Sequence, residues 1–275
     1  EIYTLSLHTL FRSLSFFKWG GTGAPEWNGI NNYIKLFTTD PYFKESIKVT
    51  VYFSLLAVVG SMVYSLIVAM LLNRKIPARG FFRAVFYLPY VLPAAAVYIG
   101  WSWLYNTEWG LFNYILSKLG IERLMFVSSS SQVVPSLALI AVWLSGNLIV
   151  IFLAGLQNVP RVYHEAAEID GANAWQRFWH VTFPSMTPII FYNMLMALIT
   201  NMQVVTPALA LTKGGPGKSS YFMSYMLYNY AFKQRGKIGL ACAIAFVLFL
   251  LIGAFTLLLF ATSKSWIFYE GGDDK

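Results

Sequence analysis

The stretch Tyr163–Pro184, which reads "YHEAAEIDGANAWQRFWHVTFP", is a charged segment inside an otherwise apolar half of the chain. Its charged side chains are Glu165, Glu168, Asp170 and Arg177. Residues 133–160 before it and residues 185–212 after it contain no Asp, Glu, Lys or Arg. A charged segment between two long charge-free runs is typical of a loop that joins two membrane-spanning segments.

The composition of the whole chain also predicts a membrane protein. Of its 275 residues, 57% are hydrophobic and only 12% are charged, whereas about a quarter of the residues of ordinary soluble domains are charged. The single cysteine, Cys242, excludes a disulfide framework or a cysteine-based metal site within the chain. The net charge of +8 is spread over several loops, so lipid headgroups and topology signals explain it, and no nucleic-acid partner is expected.

Five runs free of Asp, Glu, Lys, Arg and His are long enough to cross a bilayer, which takes about 20 helical residues. They cover approximately residues 51–72, 84–105, 133–155, 185–211 and 238–262. Because lipid offers no hydrogen-bond partners to an open backbone, each run is predicted to be a helix.

The beginning of the chain is predicted to contribute one more span. Residues 2–18 are apolar but too short for a full crossing, and they contain His8 and Arg12. We expect them to be the outer end of a first helix that is truncated in this chain. The predicted fold class is therefore all-α: a polytopic membrane protein with six transmembrane helices in one domain, residues 1–275, and a loop at residues 156–184.

The distribution of basic residues predicts the orientation. The loop Asn73–Arg83 is the densest basic patch, and cytoplasmic loops carry an excess of Lys and Arg. This loop and the loop 156–184 must share one side, so both are predicted to be cytoplasmic. The segment Thr212–Lys237 on the other side is also basic, which weakens the asymmetry.

Several chemistries are excluded by the motifs. The sequence "TKGGPGKSS" lacks a phosphate-loop pattern because Thr212 stands where the first glycine is required. No HExxH or GxSxG motif occurs, and the three histidines are scattered. We predict no catalytic residue and no metal site. Because the five spans contain no ionisable group at depth, energy for transport is expected to come from a partner.

Neutral polar residues within the spans have two interpretations. Asn147, Thr200 and Asn201 could form helix–helix hydrogen bonds, or they could line a path for a polar, uncharged substrate. Pro207 follows shortly after Thr200 and Asn201 and is expected to loosen the helix that carries them. Pro89 and Pro93 are expected to kink the span at residues 84–105 around Tyr90. This span is the third when the truncated first helix is counted. Amides, hydroxyls and aromatic rings together suit sugars.

The charged stretch is predicted to form two short helices. Pro160 can open a helix over Arg161–Ile169, and the Asp170–Gly171 pair can end it. A second helical segment is predicted from Ala172 to about Val181, with Pro184 ending it and opening the next span. The residues alone leave open a plain solvated helix at the membrane interface.

The charged stretch resembles the EAA loop of ABC-importer permeases. That pattern is Glu-Ala-Ala, three residues, Gly, nine residues, then Ile-x-Leu-Pro. Here the corresponding residues are Glu165-Ala166-Ala167, Gly171 and Val181-Thr182-Phe183-Pro184. The spacing is kept, and valine and phenylalanine replace isoleucine and leucine.

The rest of the chain resembles the carbohydrate branch of these permeases, the larger-type subunit of maltose and glycerol-phosphate importers. The stretches that carry this resemblance are "SLSFFKW", "GINNYIKLF", "RGFFRAVFYLPYVLP", "FLAGLQNVP" and "LTKGGPG". They are distributed over essentially the whole chain. The resemblance implies a multi-pass protein of the bacterial or archaeal inner membrane that imports sugars or oligosaccharides by alternating access and has no enzymatic activity of its own.

The resemblance also implies partners and sites. The partners would be a second homologous permease forming a heterodimer, a cytoplasmic ATPase dimer that binds ATP and Mg, and an extracytoplasmic solute-binding protein. This chain itself would hold no cofactor. The implied ATPase-coupling residues are Glu165, Ala166, Ala167, Asp170 and Gly171. The implied substrate-pathway residues are Tyr90, Ala94, Asn147, Ala197, Thr200, Asn201 and Val204.

Other functions remain open at this point. An ion-coupled secondary carrier would need a charge at depth in the part of the first helix that this chain lacks. An intramembrane enzyme would need acid or base groups that the spans do not offer. A homodimeric permease, or one for a non-sugar or anionic solute, would share the same loop. Basic residues of the outer segments could steer an anion.

Overall fold

The computed structural model describes residues 12–234 and 236–268. This part of the chain is built mainly of helices, with one short antiparallel hairpin, so the all-α prediction is confirmed. The α-helices are, in chain order, α1 (Asn31–Ile34), α2 (Phe43–Asn73), α3 (Arg79–Val91), α4 (Ala94–Leu104), α5 (Leu111–Lys118), α6 (Val133–Trp143), α7 (Gly146–Asn158), α8 (Arg161–Ile169), α9 (Ala174–Arg177), α10 (Phe183–Met202), α11 (Met223–Tyr228) and α12 (Ile238–Ser263). The strands are β1 (Phe17–Lys18) and β2 (Glu26–Trp27).

Wider π-helical turns adjoin several of these helices. They cover Lys35–Thr39, Phe178–Thr182, Ala208–Thr212 and Asn229–Lys233, and a 3₁₀ turn covers Phe126–Ser128. The described residues form two compact units. Unit 1 takes those within 1–56, 94–138 and 200–254, and unit 2 takes those within 57–93, 139–199 and 255–275.

Three helices of the described part are long and apolar enough to cross a membrane on their own. They are Phe43–Asn73, Ala174–Met202 and Ile238–Ser263. Two pairs, Arg79–Val91 with Ala94–Leu104 and Val133–Trp143 with Gly146–Asn158, pass the same test only when each is taken as one broken span. The described residues thus provide three to five spans. The remaining predicted span, which is the first in the chain, lies mostly in residues 1–11, outside the described residues.

Two predicted spans are interrupted. In the third, Leu92 is extended (ψ 145°), because the ring of a following proline, here Pro93, disfavours helical backbone. Pro89 lies inside α3 without ending it. The fourth was predicted as one run over 133–155, yet it bends by 49° between Trp143 and Gly146.

The fifth span differs from its prediction at both ends. Its helix begins at Ala174 and continues through Pro184, so the prediction that Pro184 separates two helices is wrong. A proline is tolerated there because it lies in the first turn of α10, where its missing N–H removes little. At the other end the helix stops at Met202, so the predicted extension to residue 211 is also wrong. A separate turn, Ala208–Thr212, follows Pro207.

The predicted end of the first span is also corrected. Residues 12–14 are helical, but Phe17–Lys18 pairs with Glu26–Trp27 as a hairpin instead of continuing to residue 18. The amide of Asn32 donates to the carbonyls of Ser15 (2.8 Å) and Phe17 (2.9 Å). These bonds hold the backbone in a turn and satisfy carbonyls that would otherwise be buried without partners.

Unit 2 depends on small residues where its helices meet. α3 packs against α7, and a Cβ on Gly146 would lie 2.8 Å from the carbonyl oxygen of Phe86. The hydroxyls of Ser65 and Ser145 are 2.9 Å apart and form a hydrogen bond. Small and hydroxyl-bearing residues at such contacts are what association in lipid requires, because apolar burial gives no net driving force there.

Unit 1 is held by polar contacts at segment ends. The hydroxyl of Thr50 accepts from the backbone N–H of Met223 (2.9 Å) and donates to the carbonyl of Ser46 (2.7 Å). The Tyr105 hydroxyl donates to the carbonyl of Ser136 (2.9 Å). The Thr50–Met223 and Tyr105–Ser136 bonds join residues 173 and 31 positions apart in the sequence, so they fix the tertiary arrangement within this unit.

We expect Gly146→Ala to destabilise the protein by about 1–3 kcal/mol, because the added Cβ meets backbone that cannot move cheaply. The measurement is the thermal transition of the purified protein in detergent. Gly253→Ala is the matched control, since nothing lies within 4 Å of a Cβ at that helical glycine. Equal transitions for the two variants would contradict the close packing of α3 on α7.

Candidate functional site

The first helix of the charged loop has the bounds predicted from the sequence. Pro160 precedes α8 with extended backbone (φ −60°, ψ 131°), and α8 runs over Arg161–Ile169. Proline can open a helix because its fixed φ is compatible with the first turn and it has no N–H to leave unpaired.

The helix ends in a turn that requires glycine. Gly171 has a φ of +77°, a conformation that glycine adopts without steric cost. The N–H groups of Asp170 and Gly171 donate to the carbonyls of Ala166 and Glu168 at 3.0 Å. These bonds satisfy the last carbonyls of α8 and reverse the chain direction.

A capping box, which the sequence analysis missed, begins the second helix. The side chain of Asn173 accepts from the N–H groups of Trp175 and Gln176, each at 3.0 Å, while Gln176 Oε1 accepts from the Asn173 N–H at 2.8 Å. The helix therefore begins at Ala174, two residues later than predicted. The spacing Asn-x-x-Gln was the available signal.

An ion pair closes the loop across its turn. The Arg177 guanidinium contacts the Glu168 carboxylate, so α8 and α9 are joined by side chains as well as by the Asp170–Ala172 backbone. The pair is partly exposed, so it adds little to global stability. Its effect is local, because it restricts the angle between two helices joined by a short turn.

The base of the loop is tied to α3. With the Gln157 amide oriented to satisfy its neighbours, its oxygen accepts from Arg83 Nη2 (3.0 Å) and Arg79 Nη2 (3.2 Å). Arg79 also donates from Nε to the Leu72 carbonyl at 2.6 Å. The arginines of the first turns of α3 are thus in direct contact with Gln157, which lies near the end of α7 and leads into the charged loop.

The predicted coupling residues lie on the surface. Glu165, Ala166, Asp170 and Gly171 are exposed, and Ala167 is half-buried. In the part of the chain that the structure describes, the Glu165 carboxylate has neither an ion-pair partner nor a hydrogen bond. Around these residues lie exposed apolar side chains, namely Val162 (68% exposed), Ile169 (87%) and Trp175 (69%).

An aromatic cluster supports the loop where it enters the span. The rings of Trp175 and Trp179 are 5.7 Å apart, and that of Trp179 is 5.1 Å from both Phe178 and Phe183. Such contacts stiffen a helix surface beyond the effect of burial alone. Sequence reasoning missed this cluster, although its i, i+3 and i+4 spacings were visible.

The predicted pathway residues fall into two groups. Thr200, Asn201 and Val204 lie together at the end of α10, where the N–H groups of Gln203 and Val204 donate to the carbonyls of Thr200 and Asn201 at 3.3 Å. These three residues and Ala94 belong to unit 1. The structure places Thr200 and Ala94 on the surface and leaves Asn201 and Val204 half-buried.

The remaining pathway residues belong to unit 2. Tyr90 on α3 is 48% exposed, Asn147 lies half-buried in the first turn of α7, and Ala197 is buried in α10. Because a Cβ on Gly146 would lie 3.1 Å from Tyr87 Cα, Tyr90 and Asn147 lie on neighbouring helices.

Three of these residues lie beside breaks in spans. Ala94 follows the break at Leu92, Asn147 follows the bend after Trp143, and Asn201 precedes the unwound residues 203–205. Broken helices at membrane depth free backbone groups and are tolerated where they line a cavity or are covered by protein. Within the described ranges, no group of three or more His, Cys, Asp or Glu side chains is placed to bind a metal.

Comparison with known proteins gives the class. The sequence pattern described as "Binding-protein-dependent transport system inner membrane component" matches residues 61–265. The probable ABC transporter permease protein YesP of Bacillus subtilis is 36% identical over 95% of this chain and 85% of its own length. The multiple sugar-binding transport system permease protein MsmF of Streptococcus mutans is 37% identical over 92% of this chain and 87% of its own length.

A solved structure agrees at the level of the fold. A subunit of a bacterial ABC transporter involved in the import of the acidic polysaccharide alginate superposes with a TM-score of 0.79, at 19% identity, over 96% of this chain and 90% of that chain. The matched sequence pattern and these relatives thus define the class, a permease subunit of an ABC importer. This chain belongs to the family of binding-protein-dependent transport system inner membrane components.

Membership of this family decides between the functions left open by the sequence. The chain is a multi-pass subunit of the inner membrane, and it is a transport component without enzymatic activity. The ion-coupled carrier and the intramembrane enzyme are therefore excluded.

We expect Gly171→Ala to loosen the charged loop by about 1–2 kcal/mol, because a Cβ is strained at a φ of +77° even though nothing lies within 4 Å of it. Amide hydrogen exchange of peptides covering Arg161–Arg177 measures the effect. Gly171→Asn should be milder, since asparagine tolerates this conformation. Gly80→Ala, at an unobstructed helical glycine, should leave the exchange unchanged; unaltered exchange in Gly171→Ala would contradict the role of the turn.

Proposed function

We propose that this chain forms half of the translocation pathway of an ATP-driven importer of sugars or oligosaccharides and couples to its ATPase through the charged loop. The observation that carries the coupling is the Glu165 carboxylate, which is exposed on α8 and has no partner within the described residues. A rigid helix that presents an unpaired charge among exposed apolar side chains is suited to a protein partner.

The geometry of the loop supports assigning its five residues to ATPase docking. Glu165 would supply the anchoring charge, and the small side chains of Ala166 and Ala167 would let the ATPase surface approach the helix closely. Asp170 and Gly171 would form the turn that sets the angle between α8 and the following helix. The Glu168–Arg177 pair would keep this angle when the partner pushes on the loop.

We infer the remaining partners from the same class of importer. They are a second homologous permease subunit, a cytoplasmic ATPase dimer that binds ATP and Mg, and an extracytoplasmic solute-binding protein. The family description itself specifies dependence on a binding protein. A related solved structure is of the alginate ABC transporter in complex with a periplasmic protein that carries an alginate pentasaccharide.

Sugar as the cargo is supported by relatives and by side-chain chemistry. MsmF is named for multiple sugars. The trehalose/maltose transport system permease protein MalF of Thermococcus litoralis is 30% identical over 83% of this chain and 77% of its own length. Tyr90, Asn147, Thr200 and Asn201 offer neutral hydroxyl and amide groups beside the span breaks, and such groups suit sugar hydroxyls.

In the docked complex the Glu165 carboxylate would be buried and paired with a charged group of the ATPase. Glu165→Ala should therefore weaken association with the ATPase about tenfold or more, because it leaves that group of the ATPase buried and unpaired. Co-purification of the ATPase and uptake by reconstituted vesicles are the measurements. Glu122→Ala removes a carboxylate that is also exposed. Glu122 lies between the predicted spans 84–105 and 133–155, on the side opposite the charged loop, so its removal should change neither the association nor the uptake. Undiminished association and uptake in Glu165→Ala would refute the coupling role.

Tyr90→Phe and Thr200→Val should raise the KM for uptake several-fold, because each removes one hydroxyl and keeps the shape of the side chain. Both variants should still bind the ATPase, which separates a pathway defect from a coupling defect. Tyr52→Phe is the control, since Tyr52 is similarly exposed (49%) on α2. Unchanged uptake kinetics in both variants would count against these two lining positions.

A further inference from the structure

The segment Thr212–Lys237 in unit 1 has an unusual charge pattern. It contains five basic residues and four tyrosines but no Asp or Glu. Five like charges without a carboxylate are disfavoured unless they stay solvated or meet an anion. The structure shows how part of this charge is arranged.

Two of these lysines line a cleft of about 400 Å³. We call it the lysine–tyrosine cleft, and its lining residues are Tyr42, Lys213, Gly214, Gly215, Gly217 and Lys218. Lys213 is exposed and Lys218 is half-buried, so both ammonium groups remain accessible to a ligand.

Tyrosine rings position Lys218 within this cleft. Its Nζ lies 4.4 Å from the ring centre of Tyr221 and 5.2 Å from that of Tyr42. The two rings are 6.2 Å apart. The aromatic faces attract the ammonium group without neutralising it. The lysine is therefore held in place by rings and not by a carboxylate.

The carboxylate of Asp40, two residues before Tyr42, has other partners. Asp40 Oδ1 accepts from the N–H groups of Tyr42 (2.9 Å) and Phe43 (3.0 Å), and its Oδ2 accepts from the Tyr230 hydroxyl. In the ranges that the structure describes, neither lysine of the cleft forms an ion pair. Their charge is left for a ligand.

The backbone of the cleft is built for this shape. A Cβ on Gly214 would lie 2.6 Å from Tyr221 Cδ2, so only glycine lets the loop reach the ring. Ser220 Oγ donates to the Gly215 carbonyl at 2.6 Å and fixes the loop. Lys213 and Lys218 have φ values of 52° and 73°, which are strained for residues with a Cβ and are tolerated where the surroundings impose them.

We propose that the lysine–tyrosine cleft binds a carboxylated sugar, so that the importer takes up anionic saccharides. This inference rests on the proposed function as a sugar importer. The ring of Tyr42, 44% exposed, would stack against the sugar, while Lys213 and Lys218 would bind its carboxylate.

The alternatives fit the cleft less well. A neutral sugar gains most from side chains that both accept and donate hydrogen bonds, whereas lysine ammonium groups only donate. An acidic face of a protein partner would need a broad surface, as specific protein interfaces bury about 800 Å² per partner. A concave site with an aromatic wall and two cations suits a small anionic ligand better.

The test measures binding of two matched probes to the assembled transporter, purified without its binding protein. The probes are trigalacturonate and its methyl ester, which share the sugar chain and differ in that each carboxylate is replaced by a neutral methyl ester. Isothermal titration calorimetry should show the ester binding about tenfold more weakly, and added salt should weaken only the trigalacturonate. Equal binding of the two probes, or no binding of either, would overturn the proposal.

Variants assign the binding to the cleft. Lys213→Gln and Lys218→Gln should each weaken trigalacturonate binding about tenfold. Lys48→Gln, which removes an exposed lysine paired with Glu45, should have no effect. If instead the cleft variants impaired only association with the binding protein, the cleft would be a protein-docking surface, and the proposal would be wrong.

The outcome is distinguishable from failure of the proposed function. A transporter that takes up neutral sugars, with uptake unaffected by the cleft variants, would remain a sugar importer without this site. A transporter that takes up no sugar and does not respond to Glu165→Ala would refute the proposed function itself.

Discussion

The free-energy cost of a charge in hydrocarbon is the constraint on which the rest of this structure depends. It keeps ionisable side chains out of the five charge-free runs and confines them to the segments between. These five runs therefore contain no Asp, Glu, Lys, Arg or His that could bind a proton or an ion at depth to drive transport. Two of the chain's charged features, the helix around Glu165 and the lysines of the lysine–tyrosine cleft, lie where soluble molecules can reach them.

The sequence predicted those features whose cause is local. The bounds of α8 follow from Pro160 and Gly171, which act on their own backbone. The breaks in the spans depend less on local signals. Pro93 predicts the break at Leu92. The bend before Gly146, in contrast, lies in an unbroken apolar run and is accompanied by a hydrogen bond between Ser65 and Ser145. Such a contact between distant residues leaves no pattern in a single sequence.

The candidate site shows the same division. Glu165 was identified from its spacing to Gly171 and Pro184, whereas the Glu168–Arg177 pair emerged only from the fold of the loop. The lysine–tyrosine cleft was equally hidden. Its basic residues were apparent as a charge excess, but Tyr42 comes from a different segment, and only tertiary structure brings its ring to Lys218. An excess of positive charge in the sequence predicts that anions are attracted. The position of an anion-binding site follows only from the tertiary structure.

The uninterrupted helix Ala174–Met202 has a mechanical consequence. It is 29 residues long and would extend for about 43 Å at the usual helical rise. A helix of this length bends little, so Trp175 and Ile199, which both belong to unit 2, move together. The π-helical turn at Phe178–Thr182 departs from α-helical hydrogen bonding, so we expect any bending of this helix to occur there first.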